Sequence, residues 1–143
     1  DSCTVNDAAQ LMWEHDCGCI PVLQAQNHRL IGVITDRDIA MAGYTTGKPL
    51  HEIAVTSAFS GEAVVASPED DISAVEKWMP YKQIRRIPVV NDASELVGIV
   101  SLNDIAIAAS TRNSGITAKE VASTLSAICR KSTADDLKAV SAA

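Results

Sequence analysis

A chain of 143 residues with a formal net charge of −6 is large enough for one compact unit or two small, intimately packed repeats. The acidity, with no block of Lys or Arg, argues against a nucleic-acid surface, and no apolar run approaches the roughly 18 residues of a membrane span. Aromatic residues are 3% of the chain, so the core must be aliphatic, and the first residues carry no charged-then-apolar secretion signal. The expectation is a soluble, cytoplasmic protein in which Cys3, Cys17, Cys19 and Cys129 are free thiols.

Thr4 is placed to cap a first helix, with Asp7 three positions on in an approximate capping box. The apolar face of that helix reads Val5, Ala8, Ala9, Leu11 and Met12, and it ends near His15 before Gly18. Two strands follow, Cys19–Leu23 and Leu30–Thr35, separated by a polar turn. A helix from 36 to 42 is then stopped by Gly43, and residues 44–49 form a polar connector. Residues 50–58 carry a weak helical pattern closed by Gly61, and 63–67 read as a small strand ended by Pro68.

Asp71 caps a helix with Ile72, Val75 and Met79 on its apolar face. Pro80 predicts an end or kink at Met79, because its ring clashes with the preceding turn. Strands over 87–90 and Leu96–Ser101, joined by a turn, lead into a helix at Leu102–Ala109. In the tail, Thr117 and Glu120 form a full capping box, and Ile116 and Val121 are placed as a hydrophobic staple. Val121, Leu125 and Ile128 make an apolar stripe that carries the last helix to about Arg130. Residues 132–143 are polar and alanine-rich, and the pattern leaves open a second short helix or a frayed end.

The organising feature is a repetition. Gly32 to Asp38 read G-V-I-T-D-R-D, and Gly98 to Asp104 read G-I-V-S-L-N-D. Ile20-Pro21-Val22 recurs as Ile87-Pro88-Val89, and Met12 as Met79, at an interval of roughly 66 to 67 residues. Each copy is a buried strand running into a short helix, with a hydroxyl and a carboxylate one turn apart. Free N–H groups and the positive helix end at such a junction suit a phosphate or a sugar.

In these motifs the chain resembles a tandem pair of cystathionine-β-synthase (CBS) domains, a Bateman module, over about three quarters of its length. The resemblance implies an α+β fold of two pseudo-symmetric β-α-β-β-α repeats packed through their sheets, plus a C-terminal helix. The boundaries would be 1–49 for the first repeat and connector, 50–110 for the second repeat and 111–143 for the helical tail. The leading strand of the first repeat should lie upstream of Asp1, which leaves the first ligand cleft less complete.

The resemblance also implies a regulatory, non-enzymatic role. In the clefts between repeats, Asp38 and Asp104 would accept the ribose hydroxyls of an adenine nucleotide. Thr35 and Ser101 would bond its ribose or phosphate, and Ile20-Pro21 and Ile87-Pro88 would line the purine wall. A carboxylate suits a diol because its two oxygens each accept one O–H. The bland reading is that these hydroxyls and acids merely cap their helices. Capping needs one residue and not two spaced by three, which favours binding. Arg85 and Arg86 offer guanidinium forks for phosphate oxygens. The first copy has Gly18-Cys19 in their place, so the second site is better equipped for phosphate.

The ligand would be AMP, ADP, ATP or S-adenosylmethionine, with no cofactor required. The helices bearing Trp13 and Trp78 correspond to the family's homodimer surface, although both rings would also serve to fill an aromatic-poor core. No catalytic triad, Walker loop or dinucleotide glycine fingerprint occurs. Two alternatives stand beside the leading one: a structural dimerisation module with vacant clefts, and a thiol or metal sensor using Cys17 and Cys19. The C-G-C spacing lacks a second ligand pair, so no metal site is expected.

Overall fold

A computed structural model describes residues 3–59, 63–111 and 115–130. Gly61 and the segment 132–143 lie outside them. The order is α1 (Val5–Glu14), β1 (Cys19–Leu23), β2 (Leu30–Thr35), α2 (Asp36–Thr46), α3 (Ile72–Lys82), β3 (Arg86–Val90), β4 (Leu96–Ser101), α4 (Leu102–Ala109) and α5 (Ala118–Cys129). It is an α+β fold in which β1 pairs with β2 and β3 with β4 as two small sheets, and a C-terminal helix is present. The chain divides into two compact units, Asp1–Pro68 with Pro88–Gly98, and Glu69–Ile87 with Ile99–Ala143. The cut crosses the second hairpin.

In the first unit the Thr4–Asp7 capping box starts α1, and Val5, Ala8 and Met12 face a core completed by Val22, Ile34, Ala42, Ile53 and Val55. Leu11, expected on that face, is 41% exposed, because the buried stripe is the narrower 5-8-12 set. The β1–β2 register sets Cys19 opposite Thr35 and Val22 opposite Gly32. Helix α2 runs through Gly43 and stops at Gly47 instead, whose φ of 63° is left-handed and whose N–H bonds the Gly43 carbonyl at 3.0 Å. A Cβ at Gly43 would meet only the end of the Leu50 side chain, at 3.4 Å.

Residues 50–58 form two 3-10 turns, Leu50–Glu52 and Val55–Ser57. They are tied to the chain start by Val5 N–H to the Ile53 carbonyl at 2.9 Å and Val55 N–H to the Cys3 carbonyl at 3.0 Å. The strand expected at 63–67 is reduced to a single parallel bridge, Ala66 with Val89, its backbone bonds reaching Pro88 and Val90. Within the same unit the turn of the second hairpin meets β2, with Leu30 N–H on the Ser94 carbonyl at 3.1 Å and Arg29 Nε on the Ala93 carbonyl at 3.0 Å.

In the second unit α3 continues past Pro80 to Lys82 and closes on Gln83, a left-handed residue at φ 56°. The proline sits in the last turn, so its missing N–H forfeits a single helical bond and the helix is not broken at Met79. Helix α5 packs on α3 and α4, but its buried residues are Thr124 and Ile128, whereas Leu125 is 46% exposed. The stripe turns because Thr124 donates its hydroxyl to the carboxylate of Glu76 on α3, a polar pair in which both residues are about 5% exposed. The buried strand expected at Leu96–Ser101 is an edge with Val97 54% and Ile99 41% exposed.

The two motif glycines differ. A Cβ on Gly32 would lie 2.3 Å from the Phe59 ring, whereas at Gly98 the nearest atom is Val89 Cβ at 3.9 Å. Gly32→Ala is therefore expected to destabilise by about 1–3 kcal/mol through overpacking, while Gly98→Ala leaves the unfolding midpoint nearly unchanged. Chemical denaturation of the two variants checks this. Thr124→Val should cost about 1–3 kcal/mol by leaving the Glu76 carboxylate without its donor, and Thr124→Ser should restore most of that loss in the same assay.

Candidate functional site: paired strand-to-helix junctions

The two copies build the same junction from the same backbone bonds. In the first, Cys17 N–H bonds the Met12 carbonyl at 3.0 Å, and Asp36 N–H, the first of α2, bonds the Gly18 carbonyl at 3.3 Å. In the second, Ile84 N–H bonds the Met79 carbonyl at 3.0 Å, and Leu102 N–H, the first of α4, bonds the Arg85 carbonyl at 2.8 Å. Between them stand Asp16 and Gln83, left-handed at φ 47° and 56°. Non-glycine residues take that conformation only when the surroundings fix it. Asp is among the residues that visit it more readily, but nothing in the identity of Gln83 announced that role.

Each junction ends in a reciprocal cap. Asp38 Oδ2 accepts from Thr35 N–H at 2.8 Å and from Thr35 Oγ1 at 2.7 Å, and Asp38 N–H returns a bond to Thr35 Oγ1 at 3.3 Å. Asp104 Oδ2 accepts from Ser101 N–H at 2.8 Å and from Ser101 Oγ at 2.6 Å, with Asp104 N–H on Ser101 Oγ at 3.2 Å. Thr4 with Asp7 and Thr117 with Glu120 make the same box on helices outside the motif. The expectation that capping uses only one of the two residues is thus corrected. A capping box engages both, so the hydroxyl–carboxylate spacing by itself does not separate a ligand site from a cap.

The remaining site residues divide. Arg85 is exposed and Arg86 half-buried beside the α4 junction, so the arginine pair stays with Ser101 and Asp104 in one unit. Ile20 and Pro21 are half-buried, but Ile87 and Pro88 are less than 2% exposed and offer no open surface for a purine. A groove of about 460 Å³ beside the α2 junction is lined by Met12, Trp13, Asp16, Cys17, Gly18 and Asp36. A second, apolar pocket of about 230 Å³ includes Leu30 and Ile31, at the end of β2 opposite Thr35 and about 17 Å from it. Trp13 is 88% exposed and Trp78 half-buried. Cys19 is buried, and Cys17 is half-buried with its thiol 3.6 Å from the Cys19 carbonyl.

A family model for the CBS domain matches residues 1–44 and 55–110, one match on each copy. The chain belongs to the CBS domain family. It is 38% identical over 104 residues to the CBS domain-containing protein YhcV of Bacillus subtilis, covering 73% of this chain and 71% of that one. Among solved structures, the CBS domain pair of protein MJ0100, in complex with 5′-methylthioadenosine and S-adenosyl-L-methionine, superposes with a TM-score of 0.65 at 26% identity, over 73% of this chain and 80% of that one. Hypoxic Response Protein I, solved with two coordinated zinc ions, gives a TM-score of 0.63 at 34% identity, over 73% and 83% of the two chains; the curated Hypoxic response protein 1 is from Mycobacterium tuberculosis. In this CBS pair the described residues contain no group of three or more His, Cys, Asp or Glu placed to hold a metal, and no helix long and apolar enough to cross a membrane.

The Ser101 hydroxyl, and after it the Ser101 N–H, hold the Asp104 carboxyl below the ordinary aspartate value of 3.8. A depressed folded value means that this cap stabilises the CBS pair fully above the ordinary value and loses its contribution as pH falls through the folded one. An NMR titration should give Asp104 a midpoint below 3.8. The fall in melting temperature as pH drops below 3.8 should be shallower in Asp104→Asn than in the wild type.

Proposed function

We propose that this CBS pair is a regulatory module that binds an adenine nucleotide or adenosyl ligand at its two strand-to-helix junctions. The observation that carries this is the duplication of the whole junction, down to the carbonyl that anchors the first helical N–H, in a chain of this family. Capping and ligand holding are compatible. The cap fixes Asp104 through Oδ2 in an exposed setting, and Oδ1 takes no bond from the described residues. A pinned carboxylate with an open oxygen is a preorganised acceptor for a sugar hydroxyl. Thr35 and Asp38 hold the same place in the first copy, with Ile20 and Pro21 as half-open apolar neighbours and Arg85 and Arg86 serving the second. That the MJ0100 pair is described with two adenosyl ligands supports this ligand class.

Regulation then follows from linkage: the ligand shifts whichever conformation or assembly it binds better, and only by its differential affinity. The module itself is not an enzyme and requires no cofactor; the chemistry it controls lies in a partner or in another part of its protein. The exposed Trp13 on α1 supports a second copy as a partner. The sensor reading of Cys17 and Cys19 gains no third metal ligand among the described residues.

Thermal melting against AMP, ADP, ATP and S-adenosylmethionine tests the proposal. A ligand at about a hundredfold excess over its Kd should add about 2.7 kcal/mol. Asp38→Ala or Asp104→Ala should reduce that shift for a ligand held at the junction it alters. Asp7→Ala removes an equivalent cap outside the motif and should lower the melting point alone, with the ligand shift intact. No shift with any of the four ligands would sink the reading.

A further inference from the structure

The two junctions share a backbone and differ in charge. At α4 the approach residues are Gln83, Ile84, Arg85 and Arg86, and the first helical residue is Leu102. At α2 the equivalent places hold Asp16, Cys17, Gly18 and Cys19, and the first helical residue is Asp36. The α4 copy therefore carries two guanidinium groups, whereas the α2 copy carries two carboxylates and one guanidinium, Arg37, at the place where α4 has Asn103.

Backbone donors differ in the same sense. In α2 the first three N–H groups are all used: Asp36 N–H by the Gly18 carbonyl, Arg37 N–H by the Asp36 carboxylate at 2.7 Å, and Asp38 N–H by Thr35 Oγ1. Asp36 thus lays its own negative charge across the helix end, where an anion would otherwise sit. In α4 the flanking N–H groups of Leu102 and Asp104 are used, but the Asn103 N–H takes no acceptor among the described residues. One junction presents an open donor beside two arginines, and the other is closed by a carboxylate and flanked by a second.

Resting on the proposed adenosyl-binding reading, we infer that the two junctions select opposite ligand ends. The α4 junction takes a nucleotide through its phosphates, held by Arg85, Arg86 and the Asn103 N–H. The α2 junction takes an adenosyl ligand whose 5′ substituent carries no phosphate, because Asp16 and Asp36 together outweigh the single charge of Arg37 and Asp36 already occupies the helix end. The groove lined by Trp13, Cys17 and Gly18 offers that substituent a partly apolar bed. A module built this way reads the ratio of two different metabolite classes and not two doses of one.

Calorimetry on the wild-type chain with ATP and 5′-methylthioadenosine is the direct test. Each ligand should bind with one equivalent per chain, and saturation with one should leave the other's stoichiometry intact. Replacing Arg85 and Arg86 together by Ala should weaken ATP at least tenfold, which corresponds to about 1.4 kcal/mol, and leave 5′-methylthioadenosine unchanged. Asp36→Ala should let ATP enter the α2 junction as a second equivalent. Direct competition between the two ligands for common sites, or an ATP affinity indifferent to the arginines, overturns the inference while the adenosyl reading survives. If neither ligand binds the wild-type chain, both fall together.

Discussion

Everything at the site depends on one backbone hydrogen bond made twice. The first N–H of the helix after each motif strand reaches back to the carbonyl just before the preceding strand, Asp36 to Gly18 and Leu102 to Arg85. That bond closes strand, turn and helix into a ring, so the side chain at the helix start and those ahead of the strand cannot move apart. The capping box then fixes the hydroxyl and the carboxylate against the same helix end. Local satisfaction of backbone donors, required of any buried helix start, is also what gathers the chemically useful groups.

The same economy explains why a cap and a binding site look alike in this chain. Four helices begin with a reciprocal hydroxyl–carboxylate box, at Thr4, Thr35, Ser101 and Thr117. Two of them are only helix starts as far as the motif is concerned. What distinguishes the other two is their surroundings: a hairpin in front, a left-handed residue before it, and, at α4, an arginine pair. What sets the two motif junctions of this chain apart is the charge and access around the cap and not the cap itself.

The second unit adds a tie of another kind. Helix α5 lies against α3 and α4, and the Glu76–Thr124 pair is the polar bond buried between α3 and α5. A buried carboxylate with one matched donor among the described residues specifies how α5 seats more sharply than apolar contact alone, because a slipped helix would strand it. Gln83 Nε2, bonded to the Ala127 carbonyl at 3.1 Å, adds a tie from the residue that ends α3. The seating of α5 is thereby coupled to the turn that leads into the arginine pair.

The linear chain determined the repetition, the family, the two hairpins and most helix starts. These rest on local rules: alternation, capping pairs and motif spacing act over a few residues. It did not determine where α2 stops, since both Gly43 and Gly47 fit a stop and only the folded chain shows that Gly47 takes the left-handed φ. Nor did it show that α3 tolerates Pro80, that Thr124 and not Leu125 faces inward, or that Phe59 covers Gly32. Thr124 and Gly32 answer to neighbours far away along the chain, Glu76 and Phe59, which no periodicity records, while Pro80 is tolerated because the helix ends within a turn of it. The charge contrast between the junctions was half visible in Arg85-Arg86 against Gly18-Cys19. That Asp36 turns its carboxylate onto the α2 helix end was decided by the folded backbone, where a side-chain oxygen and an open N–H meet.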